Sequence, residues 1–184
     1  MSACFEQIRD EIKKENIRSK SQVEKYENNK CWSYAYLSRW VVLERGLKSL
    51  YDSYNKQRIR EGALEWIEYL DGKKEKIPNK IKDFSVQTRN IPQYSFITEL
   101  LGKCNCVKDA LDSNGKYRPK RNRIAHRAEE FRSEKDYFGY KKVIDGAIKQ
   151  LLTKLTQKVN ISEPLAKIQI LQPYICDQFS FVFF

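Results

Sequence analysis

The chain has 184 residues and carries 35 lysines and arginines against 24 acidic residues, a formal net charge of +11. Its hydrophobic fraction is 41%, with 3 Trp, 11 Tyr and 9 Phe, which excludes a disordered basic tail and fits one domain with a substantial core. Only 7 glycines and 5 prolines are present, too few for an all-β protein built on many tight turns, so helices are favoured. The positive surplus attracts polyanions, nucleic acid first and an acidic protein partner second, and says nothing about fold.

The cysteines are Cys4, Cys31, Cys104, Cys106 and Cys176. Their number is odd, and the opening "MSACFEQIRDEIKK" is charged and amphipathic without an apolar signal core. Reduced thiols and a cytoplasmic location are expected. The "CNC" of Cys104–Cys106 is a weak metal hint, because a structural zinc needs four placed ligands and the chain has one histidine. No metal and no cofactor is expected. No stretch is long and apolar enough to span a membrane.

In chain order, Phe5, Ile8 and Ile12 have helical spacing and predict a first helix, with Ser19 or Ser21 as a cap for the next one. The strongest helical signal runs from about Asn29 to Gln57. Its apolar stripe is Tyr36, Leu37, Trp40, Val41, Leu43, Leu47, Leu50, Tyr51 and Tyr54. "GALEWIEYL" (Gly62 to Leu70) reads as another helix, ended by "DGKKEK". Lys73 to Pro92 reads as a basic, solvated loop carrying Lys73, Lys74, Lys76, Lys80 and Lys82. Helices return at Gln93 to Leu101 and near Val107 to Leu111, and "DSNGKYRP" breaks the pattern. The last long helix spans Ser133 to about Lys158, with Ser133 and Asp136 forming a capping-box variant.

From Ile161 the chain turns apolar: "KIQIL" and "FSFVFF" could each be a strand. The whole reads as an all-α bundle with two long antiparallel helices. Residues 1–159 form the helical domain, and 160–184 form an apolar tail, possibly extended, packed on the domain or on a partner.

The densest cationic run, "KRNRIAHR" (Lys120 to Arg127), holds the single histidine, His126. With Pro119 in a first helical turn, the segment would offer an anion free N–H groups and positive potential. Arg121 would add a planar fork for phosphate oxygens. Five positions separate Arg121 from His126, so on a regular helix their side chains point roughly 140° apart. An imidazole can take a proton and its conjugate acid can return one; on RNA the proton taken is that of the 2′-hydroxyl. Arg118, Lys120, Arg123 and Arg127 are placed to contact such a substrate. Glu44 lies on the stripe of the long helix between Trp40 and Leu47. It either pairs with Arg121, holding the guanidinium in position, or stands at the stripe's edge near solvent.

"RNRIAH" (Arg121, Asn122, then His126) resembles the R-x4-6-H signature of the HEPN superfamily, with the polar residue typical after the arginine. The motif is short, about six residues. The layout of roughly Val23 to Lys158 also fits, since the motif falls between a preceding helix and the long final one. The resemblance implies a small helical bundle and a metal-independent RNase of toxin–antitoxin or antiviral defence systems. It implies His126 as acid/base residue, Arg121 as phosphate binder, and Asn122 as the orienter of the histidine or the phosphate. It also implies a homodimer in which two motifs face one cleft, an RNA substrate, and an antitoxin or other defence-system protein as partner. One position departs: where toxins paired with nucleotidyltransferase antitoxins commonly carry a tyrosine, two residues after the histidine, this chain has Ala128. Control by modification of that tyrosine is therefore not expected.

Overall fold

The computed structural model describes residues 2–77 and 94–170. Within them the chain forms α1 (Ser2–Asn28), α2 (Trp32–Leu70), α3 (Tyr94–Leu101), α4 (Asn105–Leu111), α5 (Tyr117–Arg127) and α6 (Glu134–Ile170). The described residues contain no strand, in agreement with the all-α bundle expected.

α1 buries Ile8, Ile12, Ser19 and Val23 along one face. Ser19 is therefore no cap: it lies inside α1 and donates to the Ser38 carbonyl at 3.3 Å. α1 stops at Lys30, in the left-handed region (φ 56), where the Cys31 N–H returns to the Tyr26 carbonyl at 2.8 Å. The chain reverses there, so α2 runs antiparallel to α1, with Cys4 beside Ser53 and Glu15 beside Arg45.

α2 continues without a break to Leu70, so "GALEWIEYL" is its last third and not a separate helix. One glycine does not end a helix whose neighbours are good helix formers. Its buried side chains include Tyr36, Trp40, Val42, Leu43, Leu47 and Leu50. Val41, expected in the stripe, is 38% exposed, and Val42 is buried in its place. Lys73 and Lys74, beyond α2, pair with Asp71 and Glu68; Lys80 and Lys82 lie outside the described residues.

Two short helices and α5 then carry the chain back along the bundle. Phe96 of α3 packs edge-on against Tyr51, and Cys104, Val107 and Ala110 are buried. The Gln150 side-chain oxygen accepts from the Cys106 and Val107 N–H groups, which the first turn of α4 leaves without helical partners. Burial pushes the Cys104 thiol up from its ordinary range.

This return fixes the direction of α6. Trp32 stacks on Tyr137 at 5.2 Å and Arg39 meets Asp145. Farther along, Gly46 faces Leu151. α6 is therefore parallel to α2. The antiparallel relation expected between the two long helices holds instead for each of them against α1. α1 and α6 share a groove with Asn16 and Leu152 toward one end and Glu27 and Lys141 toward the other. The reason is the α3–α4–α5 crossover, which brings the chain back to the end at which α2 began.

Ser133 caps α6, accepting from the Asp136 N–H at 3.2 Å, as expected. α6 then runs to Ile170, so Lys167–Ile170 of "KIQIL" is helical and not a strand, and the helix crosses the boundary set at 159/160. Residues 171–184, including "FSFVFF", lie outside the described residues. No helix among the described residues is long and apolar enough to cross a membrane.

α1, α2 and α6 converge at Gly46. A Cβ there would lie 2.7 Å from Ile12 Cδ1 and 3.2 Å from Leu151 Cδ2. Gly46→Val should cost about 1–3 kcal/mol through overpacking, despite the better helix propensity of valine, measured as a lower urea midpoint.

Candidate functional site

The site lies on α5. The turn before it closes on Asp112, whose carboxylate accepts from the Asn114 N–H at 2.9 Å. Pro119 then sits in the first turn of α5, where its missing N–H costs nothing. Ile124 docks the helix on the core, and the Tyr117 carbonyl accepts from the Tyr36 hydroxyl at 3.2 Å. α5 ends at Ala128, again left-handed (φ 51), which folds the following residues back on the helix.

Arg121 and Glu44 are paired. The Arg121 Nη2 lies 2.7 Å from Glu44 Oε1 and 2.9 Å from Oε2, joining α5 to α2, with both side chains about three-quarters shielded. Nη1 of the same guanidinium donates to the Asn122 side-chain oxygen at 3.0 Å. Asn122 therefore holds the arginine and not the histidine. The guanidinium is fixed from two sides, with part of its surface still open to solvent.

His126 is exposed and has no hydrogen-bond partner among the described residues. α5 is regular over Tyr117–Arg127, so the roughly 140° divergence from Arg121 applies. The expected anion site at a helix N-terminus does not coincide with the histidine. The first turn of α5 is at Tyr117, and His126 stands in the last turn.

The four residues expected to contact substrate divide. Arg127 is exposed and has no partner among the described residues. Arg118 is half-buried, with its nearest acceptor the Leu111 carbonyl at 3.4 Å. Arg123 donates to Glu129 at 2.5 Å. Lys120 does not face substrate: it is 4% exposed. Its ammonium lies 2.7 Å from Glu129 Oε1 and 3.0 Å from the Glu130 carbonyl, over the Phe131 ring. A lysine on the inner face of α5 is held there by this cage.

Glu129 is the residue that spacing did not reveal. It lies past the end of α5 and returns only because Ala128 is left-handed. Its carbonyl accepts from Ser33 at the start of α2, and its carboxylate accepts from Lys120 and Arg123. The dipeptide "EE" directly after a cationic helix was the only signal of it. Among the described residues no group of three or more His, Cys, Asp or Glu side chains is placed to hold a metal ion.

The hydrogen bond from Lys120, opposed by partial burial and reinforced by Arg123, holds the Glu129 carboxyl below its ordinary value of 4.5. A depressed carboxyl stabilises the fold above its unfolded value, and that contribution is lost as pH falls through the folded value. Acid unfolding of the wild type should therefore steepen below about pH 4.5, and Glu129→Gln should flatten that limb while lowering stability at pH 7, read by thermal denaturation across pH.

With this geometry in place, comparison with known proteins gives no relative: no protein-family model, no curated protein and no solved structure matches the chain.

Proposed function

We propose that this chain is a metal-independent endoribonuclease of the HEPN type, acting as a toxin or antiphage defence effector. The observation that carries the reading is the Arg121–Glu44 pair, with Asn122 on the same guanidinium and His126 exposed to solvent five positions on, about 140° around the helix. A guanidinium held by a carboxylate and an amide is pre-positioned for a phosphate, and needs no reorganisation when charge develops on the phosphoryl oxygens.

The reaction is a transesterification. One imidazole takes the proton of the ribose 2′-hydroxyl as that oxygen bonds to phosphorus. The phosphorus–O5′ bond breaks, and an imidazolium protonates the leaving O5′. The products are a 2′,3′-cyclic phosphate and a 5′-hydroxyl. With one histidine per chain, the second imidazole comes from another copy, in a homodimer whose two α5 motifs face one cleft. Arg127, and more weakly Arg118 and Arg123, flank the path of the RNA backbone. An antitoxin or other defence-system protein is the partner that restrains such an activity.

A second reading is favoured by the lack of any hydrogen bond orienting His126 among the described residues: a HEPN-like module that binds RNA or protein without cutting. Cleavage assays in EDTA separate the two. His126→Ala should lose about 10²–10⁴-fold in cleavage rate with unchanged circular dichroism. Glu44→Gln, which frees the guanidinium, should lose about ten- to a hundredfold. Wild-type product ends should resist labelling as 3′-hydroxyls. Cleavage retained by His126→Ala would exclude the catalytic reading, and salt-dependent binding without product would establish the second.

A further inference from the structure

We infer that the apolar residues following α6, 171–184, dock within the same chain on the last third of α2, over Leu64 and Ile67.

Half of the exposed large hydrophobic side chains among the described residues are gathered there. Leu64 is 51% exposed, Ile67 53% and Leu70 76%, and Ile77 is exposed just beyond the helix. An exposed apolar residue standing singly is ordinary. Three of them at i, i+3 and i+6 of one helix make a face, with Leu64 and Leu70 on either side of Ile67.

The rest of the bundle uses this face. Positions 46, 53, 60 and 67 of α2 are seven apart and drift by only about 20° per step, so they follow one line along the helix. At Gly46 that line meets Ile12 of α1 and Leu151 of α6. At Ser53 it meets Cys4, in the first turn of α1. α1 begins there, so the line runs on to Ile67 without α1 against it. The uncovered stretch opens with a cleft of about 220 Å³ where α1, α2 and α3 meet, walled by Phe5, Tyr54 and Leu100 and lined also by Lys56 and Arg60. An apolar cavity of about 150 Å³ accepts a benzene ring, so this cleft has room for a phenylalanine side chain.

The course of α6 names the occupant. Trp32 with Tyr137, Arg39 with Asp145 and Gly46 with Leu151 keep the two helices in step at an offset of about 105 positions. Ile170, the end of α6, is therefore level with Glu65. From there the sequence continues for 14 residues, of which nine are apolar and only Asp177 is charged. Glu65 to Ser53 is about 18 Å of helix, and nine extended residues span about 30 Å, so Phe179 to Phe184 reach the cleft. The other segment tethered near this face, 78–93, has four apolar residues in 16 and is the poorer match. A separate chain at micromolar concentration competes against a tethered one whose effective concentration is about millimolar.

The test is photocrosslinking in the full chain carrying Ile67→p-benzoylphenylalanine, mapped by mass spectrometry. The crosslink should form within one chain, to residues 171–184. Phe181→Asp/Phe183→Asp in the same chain should lower its yield at least tenfold with unchanged circular dichroism. Leu64→p-benzoylphenylalanine should give the same product, which guards against a local effect of the probe at position 67. A crosslinked dimer on a denaturing gel would give the face to a second copy and overturn the inference. A crosslink to residues 78–93, no crosslink from either position, or a yield indifferent to the two aspartates overturns it as well.

Discussion

A charge taken out of water has to find its opposite, and that requirement runs through the whole interior of this bundle. Arg39, 4% exposed on α2, lies between Asp145 of α6 and Ser19 of α1. Glu27 of α1 receives both the Tyr137 hydroxyl and the Lys141 ammonium of α6. Lys120 is caged by the turn after its own helix, and Arg121 is held by Glu44. The Arg39, Glu27 and Arg121 pairs each join two helices that apolar packing alone could slide past one another. Such pairs contribute little net stability, because desolvation offsets their attraction; here they set register.

The candidate site inherits its rigidity from that register. Behind α5 lies an aromatic cluster in which Phe131 meets Tyr36, Tyr137 and Tyr140 edge-on, and Tyr117 meets Tyr140. The cluster fixes where α5 sits, and the Glu44 pair fixes which way its arginine points. What stays outside is the histidine. For the ribonuclease proposed above, a protomer with a fixed arginine and an unfixed histidine would be half of the catalytic device. That incompleteness is what ties the proposed chemistry to a second copy of the chain.

Much of this was legible in the residues. Periodicity located the first helix and the two long ones, because an apolar face must recur every 3.6 residues to be buried, and "SEKD" announced the cap of α6. The R-x4-6-H spacing pointed to Arg121 and His126, and an isolated carboxylate on an apolar stripe pointed to Glu44. The errors share one origin. The continuity of α2 past Gly62, the exposure of Val41 and the direction of α6 all depend on which neighbour a face meets, and periodicity does not encode neighbours. Lys120 was misplaced because a lysine among arginines looks like one more surface cation, and its cage is closed by residues beyond a left-handed turn.

The sequence by itself determined that the chain is helical, that it is strongly basic, and that one histidine stands five positions after an arginine in its most cationic run. These features come from composition and local spacing, which act over a turn or two of helix. Only the tertiary structure decided that Arg121 meets Glu44, 77 positions away, that Lys120 turns inward, and that α2 and α6 run side by side in one direction. Those outcomes are settled by packing between distant segments, where burying one apolar face leaves a particular charge in need of a particular partner.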